Sequence, residues 1–181
     1  MKVHATDLPE VKILEPKVFG DERGFFLESY SRRTFDELVG PSHEFVQDNH
    51  SRSSKDVLRA IHYQIEQPQG KLVRVVQGEI LDVAVDLRRS SPNFGKWITA
   101  KLSSENHHQI WVPAGFGHGL LTLSETAEVC YKTTDFYAPE HERCIIWNDE
   151  DIGIDWQLTG TPQLSGRDAG GLRFKEAEVF A

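Results

Sequence analysis

Apolar and polar residues alternate with a period of two along most of this chain, and turn residues interrupt the alternation at short intervals. The clearest case is segment 79–87, where Leu81, Val83, Val85 and Leu87 would share one face of an extended chain. This is the period of a β-strand, and it predicts an all-β protein. Further strands are expected at 72–77, 97–102, 109–112, 119–123 and 127–134.

Strands at this spacing predict a sandwich or barrel, most simply a jelly roll, as a single domain over residues 1–181. We expect one hairpin in which Gly78 joins 72–77 to 79–87, and a second that joins 119–123 to 127–134. Helical signal is scarce. The best case is a short helix over 31–38, with Ser31 as N-cap and Gly40 just past its end.

The charge balance of the chain excludes several classes of function. A net charge of −8 predicts no binding to nucleic acid or to an anionic membrane, because both require a basic surface. No apolar stretch approaches the roughly 20 residues of a membrane span, and the N-terminus lacks the apolar core of a signal peptide. Two cysteines, Cys130 and Cys144, do not make a disulfide framework. We expect a soluble, cytoplasmic protein.

The segment 57–71, VLRAIHYQIEQPQGK, places three groups that can handle an anion or a proton on a strand and the turn after it. These are Arg59, His62 and Lys71. Arg59 and His62 are three residues apart, so a regular strand would point them to opposite faces. Either a β-bulge lies between them or they contact different parts of one ligand.

His62 has two interpretations. On strict alternation it shares a face with Leu58 and Ala60, as a neutral core histidine bonded to a carbonyl would. It becomes a base if a carboxylate orients its ring, and Asp168 in the SGRD run is a candidate for that carboxylate. Tyr131 either makes one structural hydrogen bond or, with an ordinary pKa of about 10, acts as the acid in a proton transfer.

A metal site is not expected. The HYQ run resembles the first half of the HxH metal motif of cupins, but its second ligand position holds Gln64 and His118 stands alone within GHG. His107 and His108 are adjacent, so a strand would point them to opposite faces. Zinc and iron sites need three or four converging donors. A metal-dependent cupin oxygenase or isomerase remains an alternative.

Seven motifs in consistent order, between about residue 14 and residue 169, closely resemble the dTDP-4-dehydrorhamnose 3,5-epimerase family. The resemblance rests on the order of these motifs, because a single one of them would be weak evidence for the family. The motifs are FGDERGFFLESY (19–30), FVQDNHS (45–51), VLRAIHYQ (57–64), PQGKLVRVVQGEILDVAVDLR (68–88), SPNFGKW (91–97), the long run SSENHHQ to APEHE (103–142) and SGRD (165–168).

The resemblance implies a double-stranded β-helix, the cupin jelly roll, with a few short helices and neither metal nor cofactor. It implies a homodimer whose N-terminal strands help to build the partner's site. The implied substrate is dTDP-4-dehydro-6-deoxy-D-glucose. Inversion at C3 and C5 would give dTDP-4-dehydro-L-rhamnose, from which dTDP-L-rhamnose is made.

The resemblance also assigns roles to residues of this chain. His62 would be the general base with Asp168 behind it, Tyr131 the acid on the other face of the sugar, and Lys71 the cation that stabilises the enolate oxygen at C4. The implied substrate contacts are Arg23 and Glu28 from across the dimer, Gln47, Asp48 and Asn49 along the nucleotide, Tyr137 stacked on thymine, and Arg59, His118, Glu142 and Arg167.

Three positions depart from the family pattern. Ala60 and Ile61 stand where the family usually has Gly and Leu, so Ala60 either narrows the pocket or is absorbed by repacking. Gly117 in PAGFGHG would add room or flexibility. These departures leave open an epimerase that inverts C3 only, in a secondary-metabolite pathway. A cupin that binds a sugar nucleotide without catalysis is a second alternative.

Overall fold

Two antiparallel β-sheets face each other in the computed structural model, which describes residues 1–41 and 43–181. Two short α-helices, α1 (Arg32–Leu38) and α2 (Gly166–Ala169), and a 3-10 turn (Pro139–His141) accompany them. The strands are β1 (Lys2–Ala5), β2 (Lys12–Glu15), β3 (Val18–Asp21), β4 (Gly24–Leu27), β5 (Gln47–Ser54), β6 (Leu58–Gln64), β7 (Lys71–Gln77), β8 (Glu79–Asp86), β9 (Trp97–Ser103), β10 (Gln109–Val112), β11 (Phe116–Thr122), β12 (Thr126–Thr133) and β13 (Glu142–Cys144).

The strand order confirms the predicted all-β jelly roll. One sheet has six strands in the order β1-β2-β10-β7-β12-β5, and the other has five in the order β13-β6-β11-β8-β9. Strands β3 and β4 pair only with each other among the described residues, as a separate hairpin. Most neighbours within a sheet are distant in sequence, as in a double-stranded β-helix.

Both predicted hairpins are wrong. Strands β7 and β8 lie in different sheets, as do β11 and β12. Gly78 alone separates β7 from β8, and one residue is too short for the two-residue loop of a tight hairpin. It has a φ of 76°, and a Cβ on it would lie 2.1 Å from the Thr126 carbonyl oxygen, so only glycine fits this crossing. Alternation predicts which side chains face inward, but it does not predict the partner of a strand.

The five-stranded sheet is apolar on both faces. As the alternation predicted, Leu81, Val83, Val85 and Leu87 lie together, in a cluster completed by the C-terminal segment through Trp156. The opposite face of β8 joins the core between the two sheets. That core contains Val73, Val75, Ile80, Ala84, Ile110 and Val129, among others.

The predicted helix is confirmed as α1. The Ser31 hydroxyl accepts a hydrogen bond from the Thr34 amide, and Gly40 with a φ of 128° follows the helix. Phe35 packs with Leu72 and Trp111 on the outer face of the six-stranded sheet. Among the residues described, no helix is long and apolar enough to cross a membrane.

Candidate active site

A cavity of about 350 Å³ lies between the two sheets, and titratable side chains from both sheets line it. Its lining contains the four residues predicted to be catalytic. Nine of the predicted site residues lie there: Arg59, His62, Lys71, His118, Tyr131, Tyr137, Glu142, Arg167 and Asp168.

A β-bulge in β6 brings Arg59 and His62 to the same face. Against β11, His62 pairs with His118 but Arg59 pairs with Leu120, so β6 contains one extra residue over this interval. The bulge resolves the conflict that strict alternation predicted. It also shows that the expected grouping of His62 with Leu58 and Ala60 is wrong, because both of those residues pack in the apolar cluster with Trp156.

His62 and Asp168 meet although 106 positions separate them. The His62 Nε2 donates to Asp168 Oδ1 at 2.6 Å. The carboxylate is itself fixed, because it accepts from the Ala60 amide at 3.0 Å and the Ser165 hydroxyl at 2.6 Å. Burial raises the pKa of Asp168, but hydrogen bonds from His62, Ser165 and Ala60 outweigh it and bring the pKa to about 2. Asp168 is therefore an ionised and oriented partner for the ring.

A second carboxylate lies at the other ring nitrogen of His62. Glu142 Oε1 is 3.4 Å from Nδ1, which is buried and makes no hydrogen bond to any described residue. Burial lowers the pKa of His62, but interactions with Asp168 and Glu142 outweigh burial and raise it overall. With the proton on Nε2 directed at Asp168, Nδ1 of neutral His62 carries the free lone pair.

The opposite wall of the cavity supplies a phenol and an ammonium group. Tyr131 lies on β12 and Lys71 begins β7, both in the six-stranded sheet, whereas His62 lies in the five-stranded sheet. Burial raises the pKa of Tyr131, so its hydroxyl stays protonated at neutral pH. Burial lowers the pKa of Lys71 to about 8, while Asp82 and Glu142 favour its charged form.

A second histidine–carboxylate pair lies beside the first. His118 is directly across from His62 on the neighbouring strand, and its Nε2 donates to Asp82 Oδ2 at 2.9 Å. Asp82 is completely buried, and sequence reasoning missed it. The available signal was a carboxylate inside the apolar strand LDVAVD, because a buried charge needs a partner.

Three predicted residues form the rim of the cavity. The Tyr137 hydroxyl donates to Glu142 Oε2 at 2.8 Å, and Arg167 pairs with the same oxygen. Interaction with the nearby His62 ring, followed by the hydrogen bond from Tyr137, lowers the pKa of Glu142 to about 2 against the effect of burial. Half of the Tyr137 surface is exposed, at 51%. The ring is therefore open to a ligand at the cavity mouth.

Strand β5 divides three of the predicted nucleotide contacts between its two faces. The side-chain Nε2 of Gln47 donates to Asn49 Oδ1 at 3.0 Å. Its Oε1 accepts from the backbone amide of Tyr137 at 3.1 Å, next to the cavity. Asp48 points the other way and accepts from the Lys132 ammonium at 2.9 Å. Asp48 nevertheless lines a second pocket together with Asn49, and Tyr131 lines both this pocket and the cavity.

Arg23 and Glu28 do not line the cavity. Arg23 lies in the turn of the β3–β4 hairpin and forms an exposed ion pair with Asp21. Glu28 follows β4 and accepts from the Thr34 hydroxyl at 3.0 Å. Both sit on the segment that the family resemblance assigns to the partner's site.

The donors around His62 are poorly suited to a metal ion. His62, Cys144 and Asp168 offer ligand atoms within 4.8 Å of one another. Burial raises the pKa of the Cys144 thiol to about 12, whereas metals bind the thiolate. Gln64, at the expected ligand position, directs its amide at backbone groups. A separate group formed by His4, Glu15 and His108 lies away from the cavity lining.

The departures from the family pattern are accommodated by the packing. Ala60 is fully buried in the cluster with Trp156 and does not line the cavity, which supports absorption by repacking. Gly117 adds no room, because a Cβ there would lie 2.4 Å from Ile61 Cγ2 and 2.9 Å from Leu87 Cδ1. Glycine at 117 allows β11 to pack closely against these two side chains.

Comparison with known proteins identifies similar sequences over nearly the whole chain. Residues 5–176 match the family model described as dTDP-4-dehydrorhamnose 3,5-epimerase. A protein of that name from Pseudomonas aeruginosa is 58% identical over 180 residues, which cover 99% of each chain. The dTDP-6-deoxy-D-glucose-3,5-epimerase of Legionella pneumophila, solved with dTDP-4-keto-L-rhamnose, is 49% identical, with a TM-score of 0.96 over 98% of this chain and 94% of that one. A 3′-monoepimerase from Streptomyces bikiniensis, solved with dTDP-quinovose, is 32% identical with a TM-score of 0.89 over 95% and 87%.

Proposed function

The chain belongs to the dTDP-4-dehydrorhamnose 3,5-epimerase family, and we propose that it inverts C3 and C5 of dTDP-4-dehydro-6-deoxy-D-glucose to give dTDP-4-dehydro-L-rhamnose. It is an isomerase of the dTDP-L-rhamnose pathway. One observation carries the residue assignments: a carboxylate-bound histidine on one sheet faces a protonated tyrosine and a lysine on the other sheet across a single cavity.

The chemistry begins with the C–H bonds next to the C4 ketone. Neutral His62 takes a proton from C3 or C5, and the electron pair of that bond moves to form an enolate with its charge on the C4 oxygen. The Lys71 ammonium stabilises that charge, more strongly in a water-poor cavity than in bulk water. Tyr131 then returns a proton to the carbon from the other side, which inverts it.

The protonation states match these roles. Asp168 stays ionised and stabilises the imidazolium that forms when His62 accepts a proton. Tyr131 keeps its proton until the enolate needs it. Lys71, with a pKa of about 8, remains mostly charged at neutral pH.

The rim of the cavity is suited to the nucleotide. Tyr137 offers an exposed ring for stacking on thymine, and Arg59 and Arg167 offer hydrogen-bond donors for the diphosphate, with His118 in the same cavity lining. Glu142, Gln47 and Asn49 lie next to them and complete the proposed contacts in this protomer. Asp48 pairs with Lys132 and lines the neighbouring pocket with Asn49, where a ligand extending out of the cavity would meet it.

A second copy of the chain would complete the site. The β3–β4 hairpin exposes Phe19, Phe25 and Phe26 at 53%, 64% and 70%, and exposed aromatic clusters of this kind mark association surfaces. Burying them against a partner would place Arg23 and Glu28 at the partner's cavity. We therefore propose a homodimer, located in the cytoplasm where sugar nucleotides are made.

Deuterium exchange tests the reaction and its regiochemistry together. Incubation of the protein with the 4-keto sugar nucleotide in deuterated water should place deuterium at both C3 and C5, read by NMR and mass spectrometry. No incorporation at either carbon would end the proposal. Incorporation at C3 alone would support the C3-only alternative, an activity like that of the Streptomyces bikiniensis 3′-monoepimerase.

A cupin that binds the sugar nucleotide without catalysis makes a different prediction. In that case Tyr131→Phe would leave substrate affinity and the composition of the sugar mixture unchanged. If Tyr131 is the acid, the variant should still exchange deuterium through His62 while inversion falls by roughly 10²-fold or more. A binding protein would show neither deuterium exchange nor inversion. An epimerase with Tyr131→Phe would show exchange with little inversion.

A further inference from the structure

Gln64 is a buried amide with all of its hydrogen-bonding directed at the backbone. It ends β6, two residues beyond His62, and is 4% exposed. Its Oε1 accepts from the Ala138 amide at 3.0 Å, and its Nε2 donates to the Gln67 carbonyl at 2.8 Å and the Phe136 carbonyl at 3.2 Å. The side chain therefore joins the turn after β6 to the segment that follows β12.

The backbone held by Gln64 lies on both sides of Tyr137. The Phe136 carbonyl precedes Tyr137 and the Ala138 amide follows it. The Tyr137 amide itself donates to Gln47 Oε1 at 3.1 Å. Because Gln47 lies in the six-stranded sheet and Gln64 in the five-stranded sheet, the backbone of Tyr137 is fixed from both walls of the fold.

Few side chains other than glutamine can make this set of contacts. Glutamate can accept from the Ala138 amide but cannot donate to the two carbonyls, and methionine fills a similar volume without either function. The Gln67 end of the contact also matters, because Gln67 has a φ of 51° and its left-handed backbone requires support from its neighbours. The glutamine thus stabilises two irregular segments with one amide.

From these contacts we propose that Gln64 is a positioning residue that sets the affinity for the nucleotide through Tyr137. The inference rests on the proposed function, in which Tyr137 stacks on the base. Tyr137 in turn donates to Glu142, so its placement also sets the rim beside Arg167. Gln64 acts on binding because its bonds lead to the rim, whereas His62 is held by Asp168, and Lys71 and Tyr131 lie in the other sheet.

The test compares Gln64→Met and Gln64→Glu with wild type. The KM for the 4-keto sugar nucleotide and the calorimetric Kd for dTDP should both rise roughly 10- to 100-fold, because carbonyls that lose their donor leave the segment free to move. The kcat should stay within about 3-fold of wild type, since the proton-handling groups are unchanged.

The matched control is Gln163→Glu. Gln163 also donates its amide to a backbone carbonyl, that of Lys55 at 2.8 Å, but it lies outside the cavity lining. Its KM, kcat and Kd should match wild type. A fall in kcat at unchanged KM in the Gln64 variants, or no change in either constant, would overturn the proposal.

A double-mutant cycle with Tyr137→Ala distinguishes positioning from a general structural effect. If Gln64 acts through Tyr137, Gln64→Met should cause no further loss of dTDP affinity once Tyr137 is alanine, and full additivity would contradict the proposal. Circular dichroism checks folding, and if Gln64→Met does not fold, the same cycle is run with Gln64→Glu. Failure of the proposed function is a separate result: wild type itself would show no dTDP binding and no deuterium exchange.

Discussion

The cavity between the sheets and the β3–β4 hairpin differ in how many of their side chains find partners within one chain. In the cavity, His62 has Asp168, His118 has Asp82, and Glu142 has Tyr137 and Arg167. On the hairpin, Phe25 and Phe26 are 64% and 70% exposed, and the Arg23–Asp21 pair is open to solvent. The side chains that we propose to move protons thus all lie in one chain, whereas the hairpin exposes aromatic side chains that a partner could cover.

This difference teaches that turnover and binding have separate structural bases. Groups that move protons need fixed partners and low solvent exposure, because both control their pKa. Groups that hold a nucleotide at the mouth of a cavity can come from flexible segments or from a partner subunit. Substitutions of the groups proposed to move protons should therefore change kcat, whereas substitutions at the cavity rim or on the hairpin should change KM.

The largest effect is expected for His62→Ala. The kcat should fall by on the order of 10²- to 10⁴-fold, because a general base is lost, while dTDP affinity and dimerisation stay near wild type. The control is His141→Ala, since His141 also lies between two carboxylates, Glu66 at 3.6 Å and Glu140 at 3.9 Å, but does not line the cavity. A His62→Ala enzyme with wild-type kcat would contradict the assignment of proton transfer to the cavity.

The pH profile of kcat/KM sharpens the assignment within the cavity. Activity should rise as His62 loses its proton above its raised pKa, and fall as Lys71 loses its charge near pH 8. Asp168→Asn removes a partner that raises the His62 pKa, so the acid limb should move to lower pH and the maximum should drop by roughly 10-fold or more. The alkaline limb should not move, and an acid limb that stays in place would show that another group is the base.

Substitutions on the hairpin should change the kinetic constants less than these cavity substitutions and change assembly instead. Phe25→Ser combined with Phe26→Ser should weaken dimerisation by about 10- to 100-fold per aromatic ring and raise KM, with kcat at saturation little changed. Light scattering and kinetics measure the two effects. The control is Leu172→Ser, which removes an exposed apolar side chain outside the hairpin. A monomer with an unchanged KM would remove the cross-chain roles of Arg23 and Glu28.

The smallest effect is expected for Ala60→Gly. The Ala60 methyl packs in the apolar cluster and not in the cavity, so its loss should cost about 1 kcal/mol of stability and leave the ratio of C3 to C5 exchange unchanged. Thermal unfolding and the deuterium assay measure the two quantities. An altered ratio would show that this position influences regiochemistry after all.

Several features of the site could be predicted from local sequence. The strand pattern placed His62 in a β-strand and Lys71 at the start of the next one, and the Ser31 cap placed the helix. These features depend on neighbours within a few residues, where backbone geometry follows from residue type. Local sequence offered Tyr131 and Asp168 only as candidates, and the ordered motifs then assigned roles to them.

Contacts between distant segments could not be predicted in this way. Alternation gave no sign that β7 and β8 enter different sheets or that Asp82 lies behind His118, and it left a bulge in β6 as one of two alternatives. Each depends on which strand pairs with which, and an inward-facing apolar residue packs equally well in either sheet. Gln64 shows the same limit, because its bonds to Phe136 and Ala138 join segments more than 70 positions apart.

The sequence by itself determined that the chain is an all-β jelly roll carrying the residues of an epimerase site, because periodicity and ordered motifs are written along the chain. Only the tertiary structure decided which face His62 occupies and which groups fix it. A single inserted residue in β6 turns the histidine away from Leu58 and Ala60 and into the cavity. The reason is physical: a strand reverses its faces with every residue, so one bulge exchanges core and cavity, and pairing with β11 alone reveals it.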